Sequence, residues 1–332
     1  MNIALNTQPN APKGNVPKVL QSQEMEGGDF LSDVISGLRA DRKSLPCKYL
    51  YDAAGSKIFE QICELKDYYL TRTEAHIFAE NLPEIARTLG ANVTLVEPGA
   101  GNCEKAEPLL SVMESPAAYI PIDISPEILH AAESRLQAAL PSLPIQAVVG
   151  DFTAPITWEP NRLGNRRVIF FPGSTIGNFS CEQAERLLAD FASWLSPGDG
   201  LLLGVDLVKD SVVLERAYHD DEHVTEAFNK NLLRRINREL NGNFDMDGFS
   251  HRAFYHPLRQ RVEMHLVSLK SQQVTVAGVQ FQFEEGETIH TENSHKYTQE
   301  GLTKLLARTG FTPCRHWTDN NNHFAIYYAE IT

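Results

Sequence analysis

The middle of the chain alternates apolar runs of strand length with segments of helical spacing. Five runs stand out: VTLVE (93–97), AYIPID (118–123), IQAVVGDF (145–152), RVIFFPG (167–173) and GLLLGVDL (200–207). Between the last two, residues 182–195 repeat apolar positions on one helical side and end before Pro197-Gly198. Strands that alternate with helices predict an α/β fold, a parallel sheet with helices on both faces.

After residue 208 the pattern changes. A helix is predicted over 215–240, followed by antiparallel strands in RVEMHLVSL (261–269) and QVTVAGVQFQF (273–283). A helix over 299–308 and the strands CRHWT and FAIYYAEI then resume the first pattern. We therefore predict one domain from 73–208 plus 297–332. A second, smaller α+β domain combines 23–72 with 209–296, and residues 1–22, rich in Asn, Pro and Gly, form a disordered tail.

The charge, hydropathy and cysteine content of the chain limit which binding partners and which cellular compartment we expect. The 30 Lys and Arg against 43 Asp and Glu give a net charge of −13, which disfavours binding to a nucleic-acid backbone. No apolar run reaches membrane-spanning length, and the first residues have no signal-peptide core. The five cysteines show no CxxC spacing, which is typical of reduced thiols. We expect a cytoplasmic monomer with no nucleic-acid or membrane partner and no metal site.

Polar residues follow three neighbouring strands of the predicted sheet. Gly99 and Gly101 follow the first, and glycines let a backbone approach a ligand closely. Asp123 ends the second strand, where an acid can accept both ribose hydroxyls. Asp151 and Phe152 end the third, where they can hold and flank an adenine. These positions predict a nucleoside cofactor; the missing third glycine and the terminal pair of strands favour S-adenosylmethionine over NAD.

Two further segments are candidates for substrate contacts. The sequence FPGSTIGN (171–178) follows the fourth strand and could line a small polar substrate, although alone it is also typical of a simple turn. In an extended segment, Glu292 and Ser294 share one face and His295 points away. A carboxylate and a hydroxyl can bind the two nitrogens of an imidazole. By itself, this pattern equally fits a solvated edge strand.

Taken together, these segments resemble a known family, the histidine-specific Nα-methyltransferases of ergothioneine biosynthesis, which make trimethylhistidine (hercynine) by three methylations. The resemblance covers nearly the whole chain after about residue 25. It rests on YDAAGSKIFEQIC, DYYLTRTE, VEPGAGNCEK, YIPIDIS, GSTIGNF, AFNKNLLRRINREL, RVEMHLVS and HTENSHKY. The fold it implies is a Rossmann-like class I methyltransferase core with a smaller substrate-binding domain.

The resemblance also implies roles for individual residues. The expected contacts to S-adenosylmethionine are Gly99, Gly101, Lys105, Asp123, Asp151 and Phe152. The expected substrate contacts are Asn178 and Tyr218 at the carboxylate, Tyr51 and the Gly173 backbone at the α-amine, Glu292 and Ser294 at the imidazole with Tyr68 nearby, and Met264 as a wall of the ring. Because three transfers need room for a growing amine, Phe59 is a further candidate for an aromatic wall. Tyr51 and Asn178 are the expected catalytic residues. The loop Pro-Gly-Ala-Gly-Asn-Cys departs from the family's commoner Leu-Gly-Ser-Gly-Thr-Ser, which bears on cofactor affinity.

The implied reaction is direct methyl transfer to the neutral α-amine of L-histidine and of its mono- and dimethylated forms. Three alternatives remain open at the level of sequence. The enzyme could act on another amino acid such as tryptophan. The chain could be a noncatalytic cofactor-binding partner of a sulfur-transferring enzyme, or it could be an NAD-dependent oxidoreductase.

Overall fold

The protein is described from a computed structural model, in which residues 30–154, 156 and 163–332 are placed. The helices in this part of the chain are α1 (Phe30–Arg39), α2 (Ala53–Glu64), α3 (Tyr69–Leu89), α4 (Ala106–Val112), α5 (Pro126–Ala139), α6 (Cys181–Ser193), α7 (Ser211–Arg216), α8 (Val224–Glu239) and α9 (Gln299–Arg308). Short 3-10 turns cover Cys47–Leu50, Thr175–Asn178 and Met246–Gly248.

The strands form a large sheet and two small ones. They are β1 (Val93–Pro98), β2 (Ala118–Asp123), β3 (Val148–Val149), β4 (Arg166–Phe171), β5 (Gly200–Asp206), β6 (Phe249–His256), β7 (Arg261–Ser268), β8 (Gln272–Val276), β9 (Val279–Phe283), β10 (Thr288–His295), β11 (Phe311–Thr318) and β12 (Phe324–Ile331). The large sheet has the order β11-β12-β5-β4-β1-β2-β3.

In the large sheet, β1 to β5 are parallel, and β12 is antiparallel to both β5 and β11. The central strands are buried on both faces, which is why they read as continuous apolar runs in the sequence. The order reverses between β1 and β4, so the carboxyl ends of these strands flank a switch point where α/β sheets bind ligands.

A second unit packs around the sheet β10-β7-β6 and the hairpin β8-β9. Its apolar core draws buried residues from two stretches, 34–70 and 214–289, whereas the two cores of the large sheet draw theirs from 77–207 and 302–329. This distribution supports the proposed division into two domains. The proposed boundary after residue 72 falls inside α3, so this helix belongs to both units.

The single helix predicted over 215–240 is wrong. The chain leaves the helix after Arg216 and starts again at Val224. The Asp220 carboxylate accepts the backbone N–H groups of Val224 and Thr225 at 2.9 and 2.8 Å, as a capping residue does. The break places Tyr218 in a loop that reaches Ser294 of β10.

Other sequence predictions also need correction. The third strand is reduced to Val148–Val149. Residues 273–283 form two strands rather than one, because Ala277 and Gly278, with φ of +48° and +80°, make a two-residue turn. Strand β6 was not predicted. The predicted disordered tail, 1–22, lies outside the described residues.

Candidate active site

A hydrogen bond connects the loop after β1 to the end of β2. Gly99 and Gly101 have φ of +70° and +51°, a conformation that favours glycine. The Gly101 N–H donates to Asp123 Oδ2 at 2.9 Å, and the Ser125 N–H donates to Oδ1 at 2.9 Å. Asp123 is thus held in place by backbone donors, and each oxygen keeps a second lone pair for a ligand hydroxyl.

Phe152 closes the other side of this loop. A Cβ built on Gly99 would lie 3.1 Å from the Phe152 ring, so the glycine lets the ring sit against the backbone. Phe152 also meets Phe171 at 5.7 Å between ring centroids. Beside it, Asp151 Oδ1 accepts the backbone N–H and the hydroxyl of Thr153. The predicted adenine contacts therefore lie next to the predicted ribose contact.

A buried glutamate of α3 links this region to the loop after β4. Glu74 is 2% exposed; its Oε2 accepts Lys105 Nζ at 2.7 Å and its Oε1 accepts the Gly173 N–H at 2.6 Å. The glycine at position 204 leaves room for the Glu74 carboxylate, because a Cβ on Gly204 would lie 2.3 Å from Glu74 Oε1. Lys105 and Gly173, predicted on opposite sides of the methyl transfer, are thus bound to one carboxylate.

Strand β10 presents the predicted imidazole contacts. Glu292 and Ser294 are 8% and 5% exposed, and Glu292 is paired with Met264 of β7 in the antiparallel register. A register shift between His290 and Glu292 marks a bulge, which is a device that re-aims side chains. The predicted shared face of Glu292 and Ser294 includes Lys296 two residues further on.

Lys296 joins three polar groups in a fully buried position. Its Nζ donates to Ser294 Oγ at 2.8 Å and to Tyr218 OH at 3.0 Å, and it lies 2.8 Å from Asp206 Oδ2. The Tyr218 and Ser294 hydroxyls are 2.7 Å apart. Lys209 Nζ reaches the other oxygen of Asp206 at 2.6 Å. The sheet end and the second unit are therefore connected through Asp206.

Aromatic rings pack against one another beside these groups. Tyr51 meets Phe59 at 5.4 Å and Phe228 at 5.3 Å, and Phe59 meets Tyr68 at 6.1 Å. Tyr68 in turn meets Tyr218 at 6.1 Å. The structure thus brings together four rings that were predicted as substrate contacts, and it adds Phe228, which was not predicted.

The charge state of this region is dominated by burial. Burial raises the pKa of Glu292 to about 7 against the opposing effect of Lys296, and Oε2 has no hydrogen-bond partner among the described residues. Burial and then Glu292 raise the pKa of Tyr51 well above its usual value, so this phenol stays protonated. Glu292 is thus the main charged neighbour of Tyr51.

The turn after β4 packs closely against the end of β10 at Gly177. In Thr175–Asn178, a Cβ on Gly177 would lie 2.9 Å from the His295 carbonyl oxygen. Ser174 has φ of +56°, and its Oγ accepts the backbone N–H of Asp206 at 2.9 Å. Asn178, half-buried, ends this turn, so its position is set by contacts with both β5 and β10.

Among the residues that the structure describes, one group outside this site has the side chains to hold a metal ion. Glu263, His265 and His290 have ligand atoms within 4.8 Å of one another. Arg261, however, donates to Glu263 Oε1 through two nitrogens, at 2.8 and 2.6 Å, and a cation would have to compete with it. The group is explained as an ion-paired network, and the absence of a metal site stays a prediction.

The profile of a family described as histidine-specific, S-adenosylmethionine-dependent methyltransferases matches residues 30–331. The chain belongs to this family. A protein of Mycolicibacterium smegmatis named Histidine N-alpha-methyltransferase is 42% identical over 302 residues, covering 90% of this chain and 93% of that protein. A protein of the same name from Mycobacterium tuberculosis is 40% identical with the same coverage. Ergothioneine biosynthesis protein 1 of Neurospora crassa is 27% identical, covering 85% of this chain and 32% of that protein.

Membership of the histidine-specific methyltransferase family confirms several predictions. The resemblance, the Rossmann-like α/β class and the dependence on S-adenosylmethionine hold. Within the placed residues, the helices are too short or too polar for any of them to cross a membrane.

The structure adds residues of this methyltransferase that sequence reasoning missed. Glu74 stands between Leu70 and Ile77 on the buried side of α3, and a charge in an apolar stripe is a signal for a partner. Lys296 continues the alternation of Glu292 and Ser294. Phe228 gave no such signal, because an apolar residue on α8 fits a core position equally well.

Proposed function

We propose that this protein transfers methyl groups from S-adenosylmethionine to the α-amine of L-histidine and of its mono- and dimethylated forms, giving hercynine. The observation that carries the proposal is the buried pair Glu292 and Ser294 beside an aromatic wall. Ser294 has protein partners, but the burial of Glu292 Oε2 without a polar partner would be costly. An imidazole offers two nitrogens for such a pair. The names of the bacterial relatives support the same substrate.

The residues at the ends of β1 to β3 fit the methyl donor. Asp123 is oriented by two backbone N–H groups and suits the ribose hydroxyls. Nothing lies within 4 Å of a Cβ position on Gly101, which leaves room at the backbone of this loop. Phe152 suits one face of the adenine, and Asp151 its amino group. Bound S-adenosylmethionine supplies an electrophilic methyl group on a sulfonium.

The protein's own part in the reaction is positioning. We assign the substrate carboxylate to Asn178 and Tyr218 and the ring to Glu292 and Ser294, with Met264, Phe59 and Tyr68 as walls. The α-amine attacks when it is neutral. Because the Tyr51 phenol stays protonated, it can hydrogen-bond but is not a base, and we propose that water carries the amine proton away. Walls without charge leave room for an amine that grows by three methyl groups.

Mass spectrometry of histidine incubated with the protein and S-adenosylmethionine tests the proposal. We expect products heavier by one, two and three methyl groups, with the trimethylated form accumulating. A competition among free amino acids decides the substrate, since a preference for tryptophan would contradict the assignment of Glu292 and Ser294. No product with any amino acid, together with binding of S-adenosylhomocysteine, would favour a noncatalytic protein.

We further propose a cytoplasmic monomer without nucleic-acid or membrane partners. The five cysteines, all in the described part of the chain, are free thiols, which supports a reducing compartment. Light scattering during size-exclusion chromatography tests the oligomeric state; a mass of twice 37.1 kDa would contradict the monomer.

A further inference from the structure

The donors around Lys296 can be counted completely. A lysine ammonium has three N–H donors and no acceptor. Lys296 directs them at Asp206 Oδ2, Tyr218 OH and Ser294 Oγ, at 2.8 to 3.0 Å, and its side chain is 0% exposed. None of its protons is left for a substrate. Burial by itself lowers the pKa of Lys296, but the Asp206 carboxylate and Tyr218 outweigh it and hold this pKa above its usual value, so all three protons stay in place at neutral pH.

The two hydroxyls that Lys296 contacts share one hydrogen bond. In the structure, the Tyr218 hydroxyl donates to Ser294 Oγ at 2.7 Å, and because hydroxyl protons rotate, a ligand can reverse this direction. Two hydroxyls carry two protons, and one proton is used between them. Only one proton is therefore available to a substrate, from Tyr218 or from Ser294 but never from both.

The substrate decides which hydroxyl keeps the free proton. A carboxylate only accepts hydrogen bonds, so a hydroxyl that faces it must donate. If Tyr218 faces the carboxylate, as the proposed function assigns, Ser294 must donate to Tyr218. Ser294 Oγ, which already accepts from Lys296, then has one lone pair left for the substrate ring. Each of the three groups has all its donors and lone pairs used in this arrangement.

The ring consequently lies between two acceptors, Ser294 Oγ and the Glu292 carboxylate. A neutral imidazole has one N–H, which can donate to one of these acceptors, and one nitrogen lone pair, which then faces the other acceptor and is repelled by it. One additional proton, on the ring or on Glu292, turns this repulsion into a hydrogen bond. We propose that Lys296 is a positioning residue that makes Ser294 an acceptor, so that the imidazole binds together with one additional proton shared with Glu292.

The surroundings of Glu292 suit a shared proton. The titratable groups that face it are Cys47 and Tyr51 from the N-terminal segment, Tyr68 before α3, Tyr218 after α7, and Lys296 on its own segment. Burial raises the pKa of the cysteine and of each tyrosine, so none of them adds a negative charge at neutral pH. Lys296 is the one cation in this group, and Asp206 compensates it.

The proposal rests on the proposed function, and hercynine is the probe that separates the two. Its quaternary amine does not titrate, so a proton taken up on binding belongs to the ring or its contacts. Calorimetric titration of hercynine into the protein saturated with S-adenosylhomocysteine, in buffers of different ionisation enthalpy, counts that proton. At about pH 8 a free imidazole, with a pKa of about 6.5, is neutral. We expect uptake close to one proton and an affinity that falls about tenfold per pH unit above about 7.

Three variants test the mechanism. Glu292→Gln, which carries no titratable proton, should bind hercynine without uptake and with an affinity that is nearly constant with pH. Lys296→Met frees the two hydroxyls to reorient, so uptake should fall well below one, and the KM for histidine should rise more than kcat falls. Lys209→Met is the matched control: Lys209 is also buried against Asp206 but makes no bond to Ser294 or Tyr218, and uptake should stay close to one.

The possible failures are distinguishable. Binding of hercynine without proton uptake by the unmodified protein overturns the proposal and makes Ser294 a donor to the ring, while the proposed function stands. Equal losses of uptake in Lys296→Met and Lys209→Met overturn it as well, because they assign Lys296 a merely structural role. Absence of hercynine binding, with S-adenosylhomocysteine still bound, overturns both. If Lys296→Met fails to fold, proton uptake measured on the unmodified protein and on Glu292→Gln still shows whether the ring binds with an additional proton.

Discussion

At the scale of single residues, two buried carboxylates in the described part of the chain are matched by lysines, whereas the buried carboxyl of Glu292 is an exception. Asp206 is matched by Lys296 and Lys209, and Glu74 by Lys105. Glu292 lacks a hydrogen-bond partner for Oε2 among the described residues. Buried polar groups are normally satisfied, so the exception indicates where a ligand completes the structure.

The unmatched carboxyl leads to a prediction on binding. Glu292→Ala should weaken histidine binding by about 1–3 kcal/mol, because it removes a hydrogen bond to a buried partner. Binding of S-adenosylhomocysteine should not change. Asp123→Ala should show the reverse pattern. Calorimetry with both ligands measures this, and Asn293→Ala, on the opposite face of the same strand, is the control for a general disturbance of β10. Unchanged histidine affinity in Glu292→Ala would remove the ring assignment.

The matched carboxylate of Glu74 leads to a prediction on stability. Glu74→Ala leaves the Gly173 N–H without its acceptor and Lys105 without its counter-ion, and should lower the free energy of unfolding by about 1–3 kcal/mol. Urea denaturation measures the change. Glu80→Ala, on an exposed position of the same helix, should change stability by less than about 0.5 kcal/mol. Equal effects of the two changes would show that Glu74 has no special structural role.

At the scale of elements, the sequence predicts those parts of the fold that apolar periodicity alone determines. The strands β1, β2, β4 and β5 follow from apolar runs that are buried on both faces, and Pro197-Gly198 marks the end of a helix. The break between α7 and α8 could not be predicted in this way. It depends on Asp220 capping α8, and a capping acid inside an otherwise helical pattern is indistinguishable from a solvated one.

The turn that carries Asn178 gives a prediction at this scale. In Gly177→Ala, the new methyl group would meet the His295 carbonyl oxygen at 2.9 Å, so the turn or β10 must move. We expect a loss of about 1–3 kcal/mol in stability, as for other overpacked sites, and a higher KM for histidine. Gly301→Ala on the exposed start of α9 is the matched control, because only a side-chain oxygen lies near its Cβ position. A normal KM in Gly177→Ala would mean that the position of the turn is not critical.

At the scale of the whole molecule, the proposed site lies between the large sheet and the second unit. The proposed cofactor contacts lie at strand ends of the large sheet, and the proposed ring contacts lie on β10 in the second unit. The cofactor half could be predicted from the residues themselves, because parallel strands bring their carboxyl ends to one edge. The substrate half could not, because Tyr51, Tyr218 and Glu292 are far apart in the sequence and only tertiary packing brings them together. For those residues the family resemblance was needed.

The burial of acids at this junction sets how the stability of the whole molecule depends on pH. Burial raises the pKa of Glu292 to about 7 and that of Glu97 to about 8, both from 4.5. The folded protein therefore keeps protons that the unfolded chain has released. The stability that these two groups contribute is fully present below about pH 4.5 and is lost as the pH rises to about 7 and about 8, by at most about 1.4 kcal/mol per pH unit for each group.

Glu263 behaves in the opposite way and serves as the internal control. Hydrogen bonds from Arg261 and His265 hold its pKa at about 2 against the effect of burial, so its contribution is present above about pH 4.5 and is lost as the pH falls towards 2. Urea denaturation of the ligand-free protein at a series of pH values measures both effects. The free energy of unfolding relative to Glu292→Gln should fall between about pH 5 and about pH 7, whereas relative to Glu263→Gln it should fall on acidification. A constant difference between the unmodified protein and Glu292→Gln across this range would mean that Glu292 is ionised in the folded state at its ordinary pKa, and that the ring site is more open to water than the buried strand face indicates.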